Sequence, residues 1–146
     1  MTVRKTSVFP ASRETVFRKF QRLDTLQYIA RPYATFEPMG DASLTWEAGI
    51  TFSYRLWLFG IIPYGVHTIH IVRCDPTGIS SREENRHVPV WHHTITLVPL
   101  EDGRTRYTDQ VEIQAGWKTL FIWLWANAFY RHRQRKWIKL LKETDP

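Results

Sequence analysis

One change of hydrophobic period, from a long alternating stretch to a long helical one, decides most of what the chain can become. From Tyr33 to Gln114 apolar and polar residues alternate, interrupted by turn-forming clusters at "MGDAS", "FGIIPYG", "CDPTG", "NRHVP" and "LEDGRT". A period of two puts successive side chains on opposite faces, so the segment predicts about six consecutive strands. Connections this short join antiparallel neighbours, which gives a meander. After Gly116 the period turns helical, and "GWKTLFIWLWANAFYRHRQRKWIKLL" predicts one long helix to the end of the chain.

The residues before the meander complete the order. "TVRKTSVF" alternates and is rich in β-formers, so it predicts a first strand, ended by Pro10. "ASRETVFRKF" offers Ser12 as N-cap, Glu14 in the first turn and Val16, Phe17 and Phe20 on one face, a short amphipathic helix. "LDTLQYIA" places Asp24 and Gln27 in a capping-box spacing and predicts a second short helix that ends before Pro32. Helices segregated from an antiparallel sheet define the α+β class. A curved sheet of about seven strands cannot bury its concave face on itself, so the long C-terminal helix is expected to cross that face. At 146 residues the chain fits one domain, 1–146, with no linker or repeat to divide it.

Composition excludes several classes. The net charge of +6 suggests nucleic acid until it is located: residues 131–142 hold six Lys or Arg and no acid, and the remainder carries equal numbers of bases and acids. A helix C-terminus favours cations, so the cluster has a structural reason. Its cations and the aromatic residues occupy different halves of the helix, whereas a single-strand binder interleaves them, so nucleic acid is not the expected partner. The most apolar stretch, Trp117 to Tyr130, has 14 residues and includes Lys118 and Asn127; a span needs roughly 20. "MTVRKTSVFPAS" lacks the apolar run of a secretory leader, and Cys74 is the single cysteine, so a cytoplasmic protein without an internal disulfide is expected.

The order of elements, with "SVFPASRETVFRKFQRLDTL", "YRLWLFGIIPYGVHTI", "VWHHTI" and "GRTRYTDQVEI" running into a helix, resembles the START-related helix-grip (SRPBCC) superfamily across nearly the whole chain. Bacterial members often read W-x-H-x-H-x-F and then T-x-x-x-D-x-V on their last two strands. Trp91, His93, Ile95 and Leu97 stand in the first pattern, Ile95 replacing the second histidine, and Thr105, Asp109 and Val111 in the second. The resemblance implies a helix-grip fold of the polyketide cyclase/dehydrase-like or lipid-transfer-like kind, with a cavity between sheet and C-terminal helix for an apolar or amphipathic molecule. It implies no shared reaction.

Alternation then assigns inward faces. In "TRYTDQVEI", Tyr107, Asp109, Val111 and Ile113 share the apolar face. Trp91, His93, Ile95 and Leu97 share another, as do His67, Ile69 and Ile71, and Phe52, Tyr54, Leu56 and Leu58; Ile79 goes with Ser81 and Glu83. Four polar residues thus face inward: His67, Glu83, His93 and Asp109. Keeping like faces together brings Glu83 near His67 on one side and Trp91 or His93 on the other, so His67, Glu83 and His93 are expected to cluster. Such a cluster orients a ligand, transfers protons as an acid–base pair, or is a structural network that fixes register. Counting residue rises places Asp109 near Tyr130 or Arg131, an anchoring polar contact. Metal is not expected: His92 and His93, and likewise His67 and His70, fall on opposite faces of a strand. No phosphate loop, nucleophile elbow or cysteine–base pair calls for a cofactor or supports a reaction.

On the long helix, Leu120, Trp123, Asn127, Tyr130, Gln134, Trp137, Ile138 and Leu141 form one stripe, expected to grip the sheet. Trp117, Phe121, Trp125 and Phe129 lie on the other side and are expected to form an interface. A homodimer contact, packing beneath the short helices or the "LWLFGIIPYG" hairpin, and peripheral contact with a membrane all fit it. The expected ligand-binding wall is Tyr54, Leu56, His67, Ile69, Glu83, Trp91, His93, Ile95, Val111, Trp123, Asn127 and Tyr130. Three functions follow: a carrier of a hydrophobic or amphipathic small molecule, a cyclase or aromatase-type enzyme using His67 and Glu83 with His93 beside them, and an interaction protein whose cavity is filled.

Overall fold

A computed structural model describes residues 1–39 and 46–144. The turn expected at "MGDAS", 39–43, lies outside them apart from Met39. The strands are β1 (Thr2–Phe9), β2 (Ala34–Pro38), β3 (Thr51–Leu58), β4 (Ile62–Asp75), β5 (Gly78–Asn85), β6 (Val88–Pro99) and β7 (Thr105–Gln114). They form one antiparallel sheet in the order β1-β7-β6-β5-β4-β3-β2, with β1 and β2 as its edges. Helices α1 (Arg13–Phe20) and α2 (Leu23–Ala30) connect those two edges, and α3 (Thr119–Thr144) follows β7 through a single 3-10 turn, Gly116–Lys118. This is the α+β helix-grip arrangement that the change of period anticipates.

Local chemistry explains the ends. Ser12 caps α1, its hydroxyl accepting from the Thr15 amide at 3.2 Å, and Val16 and Phe20 are buried on its inner face. The capping box expected on α2 is not formed. Asp24 accepts from Thr25 N at 2.8 Å and pairs with exposed Arg22. Gln27 turns to the edge strand instead, donating to Phe36 O at 2.7 Å and accepting from Phe36 N at 3.4 Å. The edge strand β2 offers backbone groups with no second strand to pair, and the amide of Gln27 satisfies both kinds at once.

Register shifts at Arg55/Trp57, Ile71/Arg73 and Glu83/Asn85 put bulges in the middle strands. Bulges bend and twist a sheet, so β3, β4 and β5 curl into a hollow. At Gly78, where β5 starts beside β6, an added Cβ would stand 2.1 Å from the Ile95 carbonyl oxygen, so only glycine permits that approach.

Helix α3 packs on β1, β7 and α2. Trp137, fully buried, seats its second half against Phe9 and Tyr107, with ring centroids 5.6 and 6.1 Å away. Trp123 ties the first half to the sheet edge by donating its Nε1 to Thr2 O at 2.9 Å. The expected stripe is correct in the second half, where Tyr130, Gln134, Trp137 and Leu141 are buried. It is wrong in the first half: Leu120 is 51% exposed, while Ala126 and Phe129 are buried. That half is apolar all round, so periodicity could not select its inner side.

Candidate functional site

Because α3 lies over β1 and β7, the hollow over β2 to β6 keeps a cavity of about 280 Å³. Its sheet wall is built by Tyr54 and Leu56 of β3, His67 and Ile69 of β4, Ile79, Ser81 and Glu83 of β5, and Trp91, His93 and Ile95 of β6. Ile122, Trp125, Phe129, Tyr130 and Arg133 of α3 form the opposite wall, and Phe20, Leu26 and Trp46 contribute to the lining from the side of the short helices.

Three residues expected in this wall are elsewhere. Val111 is fully buried, but on β7, beneath the helix rather than beside the void. Trp123 is held at the β1 edge, and Asn127 donates back to the Trp123 carbonyl of its own helix at 2.9 Å. The reason is shared: alternation tells inward from outward but not which strands the helix covers. The expected interface is corrected as well. Trp125 and Phe129 line the cavity, stacked at 4.8 Å, rather than facing outward. Phe121 reaches the lining while 65% exposed, which puts it at the rim, and Trp117 is 81% exposed.

Four polar residues on the sheet wall make one chain of contacts. Glu83 pairs in register with Ile69 and Trp91, which puts His67 diagonal to it on β4 and His93 diagonal on β6. Nε2 of His67 lies 2.8 Å from Glu83 Oε1, Ser81 donates its hydroxyl to Oε2 at 2.6 Å, and His93 Nδ1 stands 3.7 Å from that oxygen. The other ring nitrogen of His93 meets Asp109 Oδ1 at 2.7 Å. Asp109, with no exposed surface, also accepts from Tyr107 at 3.2 Å and from Gln134 at 3.0 Å. The Gln134 amide continues outward, donating to Lys5 O at 2.8 Å and accepting from Ser7 at 2.5 Å. Arg131, expected to anchor Asp109, is exposed. The α3 anchor is Gln134, one turn further along, and Tyr130 packs its ring on His93 instead, with centroids 5.1 Å apart.

The charges settle in a definite pattern. Burial alone would raise the pKa of Glu83; its contacts with His67 and His93 outweigh that and hold it far below the ordinary carboxylate range. Asp109 follows the same rule, burial opposed by His93 and by the nearby charge of Arg133. Burial favours neutral His93, yet the hydrogen bonds to Asp109 and Glu83 raise its pKa above 6.5. Burial, with the Glu83 charge, raises Tyr54, which stays protonated and keeps a proton to donate.

A pH dependence follows. The lowered carboxylates stabilise the fold above their unfolded values of 4.5 and 3.8, and that contribution is lost as pH falls. His93, being raised, stabilises fully below 6.5, and its contribution is lost as pH climbs through the folded value. Stability should therefore peak between these limits and decline on the alkaline side. Urea midpoints measured at a series of pH values should show that decline in the wild type and lose it in His93→Gln; an alkaline slope that survives the substitution would assign it to another group.

Several buried polar atoms of the lining have no partner among the described residues: the Tyr54 hydroxyl, His67 Nδ1, Nε1 of Trp46 and Trp125, and Nε and Nη2 of Arg133. Each such group costs about 1–3 kcal/mol when left unsatisfied. Sequence reasoning missed Arg133, Trp125 and Phe129. The available signal was spacing: Arg133 lies four residues after Phe129 and three after Tyr130, on one helical face.

A family profile described as "Domain of unknown function (DUF8410)" matches residues 7–141. The chain belongs to that family. No curated protein matches this DUF8410 chain. Solved structures do. Protein MLL2253 from Mesorhizobium loti is 15% identical, with TM-score 0.77 and 100% of each chain covered. Protein CV1439 from Chromobacterium violaceum is 17% identical, with TM-score 0.75 and 96% of each covered. A START superfamily protein from Mycobacterium smegmatis is 15% identical, with TM-score 0.73 and 97% of each covered. At these identities the likeness is one of fold, and the DUF8410 chain has the START-related helix-grip fold. Among its described residues no helix is long and apolar enough to cross a membrane.

Proposed function

We propose that the protein binds and carries a hydrophobic or amphipathic small molecule between α3 and strands β2 to β6. The observation that carries this reading is one cavity whose walls are aromatic and aliphatic while several of its polar atoms, above all the Tyr54 hydroxyl and His67 Nδ1, lack partners among the described residues. Apolar walls supply affinity at about 25 cal/mol per Å² buried, and a small number of placed polar groups supply orientation. A volume of about 280 Å³ suits a compact guest. The likeness to a START superfamily protein supports the reading at the level of fold.

The ionisation pattern weighs against the cyclase alternative. Glu83, its oxygens engaged by His67 and Ser81 and its pKa pushed down, is a weak base at neutral pH. His93 is held between two carboxylates that favour its protonated form. The chain of contacts suits a fixed scaffold behind the ligand better than a proton relay.

Entry is assigned to the rim where Phe121 is both exposed and part of the lining. Trp117, Leu120 and Leu124 extend that rim with exposed apolar surface. It is also the surface for a second copy of the chain or for a lipid surface: concentration-dependent sedimentation detects the first, co-sedimentation with anionic vesicles the second. Native mass spectrometry of protein purified from its own host tests the main reading. A small-molecule adduct lost on denaturation is expected; a protein that arrives empty and takes up none of decanol, decanoate, 4-phenylbutanol and 4-phenylbutyrate overturns it.

A further inference from the structure

One cation of the basic run on α3 is not at the surface. Arg133 is 8% exposed and lines the cavity. Its guanidinium lies over the rings of Phe20 and Tyr130, 5.9 and 5.6 Å from their centroids, within reach of a cation–π attraction. Among the described residues no carboxylate comes within 4.0 Å of it. The nearby anion, Asp109, already accepts from His93, Tyr107 and Gln134. A guanidinium keeps its charge at any physiological pH, and although Tyr107 and the nearby charge of Asp109 offset the burial of this one, no carboxylate is paired directly with it.

The two donors without a partner are Nε and Nη2. They share one edge of the guanidinium, and their N–H bonds run parallel, at the spacing of the two oxygens of a carboxylate. Glu83, the carboxylate of the lining, is occupied by His67 and Ser81 and does not compete for that edge. We infer that the guest is an acid: a compact apolar molecule whose carboxylate, or an equivalent planar oxyanion, is gripped by the Nε/Nη2 edge of Arg133. The inference rests on the cavity reading above and adds a chemical class to it. An alcohol or a hydrocarbon of the same shape would leave the fork unpaired and bind more weakly.

Matched pairs separate the two claims. Decanoate against decanol, and 4-phenylbutyrate against 4-phenylbutanol, are titrated calorimetrically at pH 7 into the wild type, Arg133→Met and Arg133→Lys. The wild type should prefer at least one acid over its alcohol by about tenfold or more. In Arg133→Met that preference should fall within about twofold while alcohol affinity holds within about threefold, a split that a general loss of structure would not produce. Arg133→Lys keeps the charge but not the fork, and should lose most of the preference even where the methionine variant fails to fold. Equal binding of acid and alcohol to the wild type, or a preference that survives both substitutions, overturns the acid assignment and leaves the cavity reading standing. Failure of all four probes to bind the wild type overturns both.

Discussion

Replacing Asp109 with alanine is expected to lower folding stability by about 3–5 kcal/mol, the range for removing one partner of a buried charge pair. Asp109 has no exposed surface, and three donors converge on it: His93, Tyr107 and Gln134. Its loss strands an imidazole, a phenol and an amide where water does not replace the missing acceptor. For a chain of this length each kcal/mol corresponds to roughly 2–4 °C, so a melting-point drop of about 6–20 °C is expected. The double replacement Asp109→Leu with His93→Leu should recover part of the loss, because the imidazole is no longer left without its carboxylate, while Arg133 still loses the nearby charge of Asp109. A single-mutant cost below about 1 kcal/mol, or a double mutant worse than the sum of its parts, would show that the pair does not act as a unit.

The second large effect is on binding. Ala34, 1% exposed on β2, borders the cavity, and Ala34→Phe projects a ring into empty space. Filling a void regains lost contacts, so stability should change by less than about 1 kcal/mol. Affinity for a guest that fits the wild-type cavity should fall by about a hundredfold, since the ring and the guest compete for one volume. Unchanged affinity of decanol or 4-phenylbutanol would place their binding elsewhere on the molecule. A cost of several kcal/mol would instead mean that the site is already close-packed.

The sheet was legible because alternation is a strict signal when one face is buried. Tyr107, Asp109, Val111 and Ile113 all have no exposed surface, as their shared parity requires. Keeping like faces together also brought Glu83 beside His67 and His93 before any coordinates. What parity does not carry is the lateral position of α3. Val111 faces inward as read, but it lies under the helix, whereas Ile95, of the same parity on the neighbouring strand, lies under the void. The same gap misplaced the anchor of Asp109: counting rises leads to Tyr130 or Arg131, and the observed Gln134 is about one turn on. Arg133 was hidden for a different reason. Inside "RHRQRK" one buried cation looks like its solvated neighbours, and only the packing of Phe20 and Tyr130 on it tells them apart.

Strand order has a consequence for synthesis. The first strand made, β1, has β7 as its sheet partner, and their contact between Thr6 and Thr108 spans 102 positions of chain. At about 5–20 residues per second, a ribosome needs roughly 5–20 s to supply that partner. During the wait the backbone of β1 has no strand to pair with, and the opening segment is a natural client for a holding chaperone. Nascent chains arrested before Thr105 should stay sensitive to protease along that segment, and those extended past Gln114 should become resistant.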